Sequence, residues 1–279
     1  MKLITWNIQW GLGMDERLDL GRIVAHAKAM ADFDVLCLQE VADNFPELQG
    51  SSGENQFAGL AALLPSYTAI EGIALDGLDA LGCRQRFGNM LFSRYPVGQV
   101  LRYTLPWEAD ATRNMPRVLI EAVVSAPFGP VRVMTTHLEY SSDKLRRAQV
   151  EGIREAHRTA CTRVDRPSVP GPGTYKVYPR TKSAILTGDF NMVPDDPVKK
   201  RLSETFGPGV PELRDTWEAL NPGVPHPHSF CVSDQRYGPA HCCDFIFVTE
   251  DLAPRLERVV YDVETRVSDH QPVLIELRD

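Results

Sequence analysis

No stretch of this chain approaches the roughly 20 consecutive apolar residues needed for a membrane-crossing helix, although 43% of its 279 residues are hydrophobic. The opening Met1-Lys2-Leu3-Ile4-Thr5-Trp6-Asn7 lacks a small-residue cleavage site and a twin arginine. No export signal is read there, and no lipidation signature closes the chain. The expectation is a soluble, cytoplasmic protein. Paired cysteines at redox or zinc-ribbon spacing are also missing. Cys37, Cys83, Cys161, Cys231, Cys242 and Cys243 are scattered, which points to reduced thiols. There is no basic surplus either. A formal net charge of -7 argues against an extended, sequence-blind grip on duplex nucleic acid, which leaves a basic footprint. A few arginines can still hold one phosphate on an acidic surface. No internal repeat divides the chain, and its length fits one large domain over residues 1–279, expected to be a monomer.

Short β-branched or apolar runs recur behind turn signals: Leu3 to Ile8, Val35 to Leu38, Met90 to Phe92, Val118 to Val124, Val131 to Thr136, Ala184 to Thr187, Phe245 to Val248 and Val273 to Leu277. These read as strands. Helical spacing places Leu18, Ile23, Val24, Ala27 and Met30 on one face, and Phe57, Leu60, Ala61 and Leu64 on another; a third helix is read from about Ser142 to Thr162. Consecutive strands with intervening helices suggest an α/β (α+β) protein in which two packed sheets carry helices on their outer faces. Val164 to Lys182 holds Pro167, Pro170, Gly171, Pro172, Gly173 and Pro179, too many breakers for regular structure. It reads as a loop insertion, either a bland surface excursion or, from its place before the Asp189 strand, a substrate-facing segment.

Polar residues cluster where the strands end: Asn7, Glu40, His137, Asp189 and Asn191. Strand ends are where packed sheets present reactive groups. Any one of these residues alone is more often a turn or helix cap, so the signal lies in the repetition. Zinc-ligand residue types gather at His226, His228, Cys231, His241 and Cys242, but their spacing is irregular.

Seven blocks follow one another in order: Thr5-Trp6-Asn7-Ile8, Leu38-Gln39-Glu40-Val41, Gly88-Asn89-Met90-Leu91-Phe92-Ser93-Arg94, Thr136-His137-Leu138-Glu139, Gly188-Asp189-Phe190-Asn191, Cys243-Asp244-Phe245-Ile246-Phe247 and Ser268-Asp269-His270-Gln271-Pro272-Val273. Together they resemble the motifs of the endonuclease/exonuclease/phosphatase superfamily across nearly the whole chain. Gly-Asp-Phe-Asn and Ser-Asp-His are the specific blocks, whereas the residue before Asp244 is often basic in that family and is Cys243 here. The resemblance implies a four-layer αββα sandwich, two packed mixed β-sheets flanked by helices, with the site at one rim. It also implies hydrolysis of phosphoester bonds by in-line attack of an activated water with Mg²⁺, or Mn²⁺ as the alternative.

The roles implied are consistent with side-chain chemistry. Glu40, assisted by Asn7 and Asp269, would bind a hard cation that prefers oxygen ligands. Asp189 would orient and deprotonate the water, while Asn191 would hold that water or a phosphate oxygen. His270 would stabilise developing charge, with Asp244 fixing its tautomer. His137 suits either transition-state stabilisation or protonation of the leaving oxygen. Asn89, Arg94, Arg117 and Tyr140 are expected to contact substrate, and Arg113 flanks the same Asn114-Met115-Pro116 segment as Arg117.

Substrate choice stays open among small phosphoesters, lipid head groups and nucleic acid, because specificity lies in loops outside the shared centre. The acidic balance tilts the reading away from generic DNA cleavage. A nuclease remains the alternative, including one acting on phosphotyrosyl-DNA links, given Thr136-His137-Leu138-Glu139 followed by Arg146 and Arg147. A non-catalytic binding module is opposed by the presence together of Glu40, Asp189, Asn191, Asp269 and His270.

Overall fold

The computed structural model describes residues 1–279. In chain order its main elements are β1 (Lys2–Asn7), α1 (Leu20–Met30), β2 (Val35–Asp43), α2 (Gln56–Leu63), β3 (Thr68–Leu78), β4 (Arg84–Ser93), β5 (Val97–Thr104), β6 (Val118–Ala126), β7 (Gly129–His137), α3 (Asp143–Asp165), β8 (Ala184–Asp189), α4 (Pro197–Ser203), β9 (Leu213–Asp215), α5 (Thr216–Leu220), β10 (Asp244–Thr249), β11 (Leu256–Tyr261) and β12 (Val273–Leu277). One six-stranded sheet has the order β11-β12-β1-β2-β4-β3 and the other β5-β6-β7-β8-β10-β9. Both are mixed. β1 and β2 run parallel in the first and β7 and β8 run parallel in the second, while their other neighbours are antiparallel.

Alternation along β1 shows how the layers form, because successive side chains of a strand point to opposite faces. Leu3 joins Val35, Cys37, Ile120 and Leu186 in the larger apolar core. Ile4 and Trp6 face the other way and pack with Ile23, Val24, Phe57 and Leu60 of α1 and α2. Both faces are covered, so the central strands are apolar almost throughout. On the far side of the second sheet, α3 contributes Val150 and Ile153, and α4 contributes Val198 and Leu202. The result is the αββα sandwich. Helix starts are capped as the residue types require: the side chains of Asp19, Asn55, Ser142, Asp196 and Asp215 each accept a backbone N–H of the first turn.

The proline-rich segment does not face the site. α3 continues to Asp165, so the loop begins at Arg166, and its far end feeds the start of β8 at Ala184. Asp189 lies at the other end of that strand, about 17 Å away at ~3.3 Å per residue. No residue of 164–182 lines the cleft described below. Proximity in sequence is misleading here because the strand runs away from the loop.

Candidate active site

Strand ends from both sheets meet at one rim. Asn7 ends β1, His137 ends β7 and Asp189 ends β8, while Asp244 opens β10. Ser268, Asp269 and His270 precede β12. Glu40 arrives differently. The pairing of β2 with β4 slips between Leu38 and Val41, and Glu40 takes φ +62°. Such a bulge re-aims a side chain, and a non-glycine residue in this region is held there by its surroundings. Gly188 permits the close approach of β8 to β7: at φ +146° a Cβ would lie 2.0 Å from the Thr136 carbonyl oxygen. His137 and Asp189 are thereby brought side by side in register.

The polar centre is compact. Nδ2 of Asn7 donates to Glu40 Oε1 and to Asp189 Oδ2, each at 3.0 Å. His137 Nε2 lies 3.5 Å from Asp189 Oδ2 and 4.0 Å from Glu40 Oε1. His270 Nε2 lies 3.6 Å from the same Asp189 oxygen, and its Nδ1 is 2.9 Å from Asp244 Oδ2. The other Asp189 oxygen accepts the Asn191 backbone N–H at 2.9 Å, and Asn191 Nδ2 donates to the Leu138 carbonyl at 3.0 Å.

These contacts set the charges. Burial works against the charge on His270, but the Asp244 and Asp189 carboxylates on either side outweigh it and hold the imidazolium well above its ordinary range. Burial also works against Asp189, yet His270 and His137 keep its carboxyl below the usual value. His137 is the opposite case: burial first, then the charge of Arg117, push it down to about 3. It carries no extra proton near neutrality, so in this structure it is placed to donate a hydrogen bond as a neutral imidazole. Glu40 is pushed up to about 7 by burial and by the neighbouring Asp269 carboxylate, with Asp189 adding to the effect.

Glu40 and Asp269 therefore form a crowded all-oxygen donor pair whose mutual repulsion a hard divalent cation would relieve, and the residues fit such an ion. The Asn7 Oδ1 accepts the Gln9 N–H at 3.1 Å, and its amide nitrogen faces the two carboxylates. A second acidic cluster, Asp215, Glu218 and His226, is bridged by Lys199 Nζ, at 2.9 Å from Asp215 and 2.6 Å from Glu218. All six cysteines are unpaired. His226 is bound to Asp215 at 3.0 Å, and Cys242 faces the Asp244 carbonyl and the Tyr261 hydroxyl; His226, His228, His241 and Cys242 line one open cavity, but no three of the zinc-ligand types in this region bring their ligand atoms together.

Arg113, Arg117, Tyr140 and Asn191 line the cleft with Glu40, His137, Asp189, Asp269 and His270, around about 330 Å³ of open space. Arg117 is 6% exposed, and its Nε has no hydrogen-bond partner, with Glu139 Oε2 3.5 Å away. Two expected substrate contacts are not brought here. Arg94 follows the end of β4 that pairs with Val35, remote from the Glu40 end of β2, and it binds Asp32 and the Tyr67 hydroxyl. Asn89 is buried beneath the cleft, its Nδ2 donating across to the Val118 carbonyl of the second sheet at 3.3 Å. It steadies the residue that follows Arg117.

Ser229 and Phe230 were missed by sequence reasoning, because they lie in the irregular stretch between α5 and β10. The Ser229 hydroxyl donates to Asp244 Oδ2 at 2.7 Å, and its carbonyl accepts the Gln271 N–H at 2.7 Å. Phe230 forms bridges with both His241 and His270.

The sequence profile of the Endonuclease/Exonuclease/phosphatase family matches residues 4–270. No curated protein matches the chain. Among solved structures, an endonuclease/exonuclease/phosphatase from Beutenbergia cavernae is similar over 100% of this chain and 71% of its own, at 24% identity and TM-score 0.70. A mannosyl-6-phosphatase from Bacteroides thetaiotaomicron matches over 100% of both chains at 18% identity and TM-score 0.66. TDP2 from D. rerio, complexed with single-strand DNA product, matches over 99% of this chain and 97% of its own at 19% identity and TM-score 0.63. These structural likenesses are likenesses of fold.

Proposed function

The chain belongs to the endonuclease/exonuclease/phosphatase family, and from that premise we propose that it is a divalent-cation-dependent phosphoester hydrolase using Mg²⁺ or Mn²⁺. The observation that carries the reading is the meeting of Asp189 with Asn7, His137 and His270 in a cleft that Arg117 also lines. A guanidinium lining such a cleft suits a phosphate, whose oxygens match its fork. Groups from both sheets build the centre, so we take residues 1–279 as one catalytic unit.

Phosphoryl transfer relies on positioning and charge stabilisation more than on covalent chemistry from the protein. Asp189, ionised and fixed by Asn7 and the Asn191 N–H, orients the attacking water and accepts its proton as the new P–O bond forms, while the ester P–O bond opposite breaks and the leaving oxygen takes a proton from solvent. His270, held as an imidazolium by Asp244, donates to a phosphate oxygen as charge develops. His137 donates as a neutral imidazole, and Arg117 fixes the phosphate from the opposite charge. Glu40 and Asp269 would hold the divalent cation, which when bound supplies further stabilisation of negative charge on the phosphate.

Of the similar structures, one is named a mannosyl-6-phosphatase and another is bound to single-strand DNA product. They support the reading at the level of the bond cleaved. The test is turnover of aryl phosphomonoesters, aryl phosphodiesters and plasmid DNA with Mg²⁺ or Mn²⁺, against chelator. Cation-stimulated hydrolysis that Asp189→Asn abolishes is the expected result. Activity surviving in Asp189→Asn removes that residue from the mechanism, and no turnover of any of these substrates overturns the reading.

A further inference from the structure

The outer half of the cleft has a composition of its own. Its wall is made by Trp10, Phe87, Met115, Tyr140, Phe230 and Tyr237, and beyond the phosphoryl centre Gln9 and Arg113 are the only other polar side chains lining it. A hydroxyl-rich sugar or polyol beside the phosphate would need several donors and acceptors there to replace its water. This wall offers mainly π-faces, with Gln9, Arg113 and two tyrosine hydroxyls as its few polar groups. Flat rings stack on such faces whatever their edge pattern, because every unsaturated ring has a π-face.

Two parts of the wall are held in place. Gln9 and Trp10 are consecutive non-glycine residues at φ +43° and +45°, a strained arrangement that persists only where the surroundings over-determine it. The Trp10 indole donates to the Gln49 carbonyl at 3.0 Å, and the Trp10 carbonyl accepts from Gln56 Nε2 at 2.8 Å. The Tyr237 ring lies 11° from parallel with Phe230, centroids 6.3 Å apart, and is 56% exposed. Phe230 in turn lies against His270, so this aromatic series leads from the phosphoryl centre to solvent. The net charge of -7 disfavours a long polyanion as the source of the ring.

We infer that the substrates of this site are small phosphate esters carrying a flat, unsaturated ring within about one pentose of phosphorus, seated against Tyr237 and Trp10. This rests on the phosphoester reading above. The ring could belong to a nucleoside or to an aryl group attached directly to the phosphate, and two matched pairs of ligands separate the sources. Adenosine 5′-monophosphate and ribose 5-phosphate differ by the base alone. Phenyl phosphate and cyclohexyl phosphate differ by flatness at similar size.

The experiment is calorimetric binding of these four compounds and of inorganic phosphate to the Asp189→Asn protein with Mg²⁺, which removes turnover from the readout. The expected result is that at least one flat member binds roughly 10-fold or more tightly than its partner, the scale of one ring stacked on an aromatic side chain. Tyr237→Ala on the same background should bring that ratio to within about 3-fold of unity and leave inorganic phosphate unchanged, while Tyr237→Phe keeps it. Ratios near unity in both pairs overturn the inference, as does a ratio indifferent to both Tyr237→Ala and Trp10→Ala. If inorganic phosphate itself does not bind and the unsubstituted protein hydrolyses none of the assay substrates, the phosphoester reading has failed; phosphate binding without ring preference removes only the inference.

Discussion

The Ser229 hydroxyl reaches Asp244 Oδ2 at 2.7 Å, the same oxygen that lies 2.9 Å from His270 Nδ1. One serine therefore aligns the carboxylate that aligns the imidazole. It also accepts the N–H groups of Cys243 and Asp244, each at 3.0 Å, so its lone pairs and proton are all engaged. Outer partners of this kind orient the groups that act directly, and their loss typically costs 10–100-fold in metal-site activity. Ser229→Ala is expected to lower kcat about 10-fold with KM nearly unchanged, because the defect lies in aligning His270 for the charged transition state. Ser229→Thr, which keeps the hydroxyl, should recover most of the rate. A fall confined to KM, or no recovery in the threonine variant, would mean that Ser229 does not act through His270.

Glu40 yields a prediction that can be read without turnover. Its carboxyl is raised to about 7 by burial and by Asp269, so the cation-free protein carries an electrostatic penalty there. Glu40→Gln relieves the penalty and keeps an acceptor for Asn7. In chelator the variant should melt at or slightly above the unsubstituted protein. A cation held at 100 times its Kd stabilises a folded protein by about 2.7 kcal/mol, several degrees for a chain of this size. Mn²⁺ should raise the unsubstituted protein's Tm by that amount and leave Glu40→Gln nearly unmoved. Equal Mn²⁺ shifts in the two proteins would exclude Glu40 as a ligand.

How much of this was legible follows from burial. The eight runs read as strands all lie in β1, β2, β4, β6, β7, β8, β10 and β12, which occupy sheet interiors. The four strands not read, β3, β5, β9 and β11, are the four sheet edges. One face of an edge strand is commonly wet, so β5 alternates exposed Gly98, Arg102 and Thr104 with half-buried neighbours and shows no continuous apolar run. The short α4 and α5 escaped for want of enough turns to show a period. At the site, Asn7, Glu40, His137, Asp189, Asp244, Asp269 and His270 were found because each stands in a short local block. Ser229 and Phe230 act through pairing with residues 15 and 40 positions away, a relationship no local pattern carries. Arg94 was misplaced for the converse reason: it stands in a recognisable block, but at the wrong end of its strand.

Stability should fall on mild acidification through a histidine remote from the cleft. His157 is fully buried, with Nδ1 2.7 Å from Arg132 and Nε2 2.9 Å from the Pro211 carbonyl. Burial and the Arg132 charge push it down to about 4, against an ordinary value of 6.5. Between those two values the unfolded chain binds a proton that the folded chain does not, so this site favours unfolding progressively as pH drops below 6.5 and adds no further loss below about 4. At about 1.4 kcal/mol per pH unit, the site costs on the order of 2 kcal/mol between pH 6.5 and 5. Urea unfolding at those pH values should show that extra loss in the unsubstituted protein and not in His157→Gln. Identical pH dependences would place the sensitivity elsewhere.

Arg117 and Arg94 make a paired test of where phosphate is held. Both were expected to touch substrate, yet Arg117 is 6% exposed and lines the cleft, whereas Arg94 binds Asp32 and Tyr67 at the far end of β4. Burial lowers the Arg117 pKa, but a guanidinium stays charged in proteins, and its Nε is turned to Glu139 at 3.5 Å. Arg117→Lys keeps the charge and loses the planar fork, so it should weaken inorganic phosphate binding about 10-fold. Arg117→Ala should cost about 100-fold in kcat/KM, or ~2.7 kcal/mol of transition-state stabilisation. The alanine variant also strands the buried Glu139, 3.5 Å from Arg117 Nε. Its fold must therefore be checked by circular dichroism before the loss is assigned to phosphate, and the lysine variant gives the cleaner number. Arg94→Ala, made alongside, should leave kcat/KM within about 2-fold and cost under about 1 kcal/mol of stability, because an exposed ion pair contributes little. Equal losses of kcat/KM in Arg94→Ala and Arg117→Ala would contradict the assignment of the phosphate to the Arg117 side of the cleft.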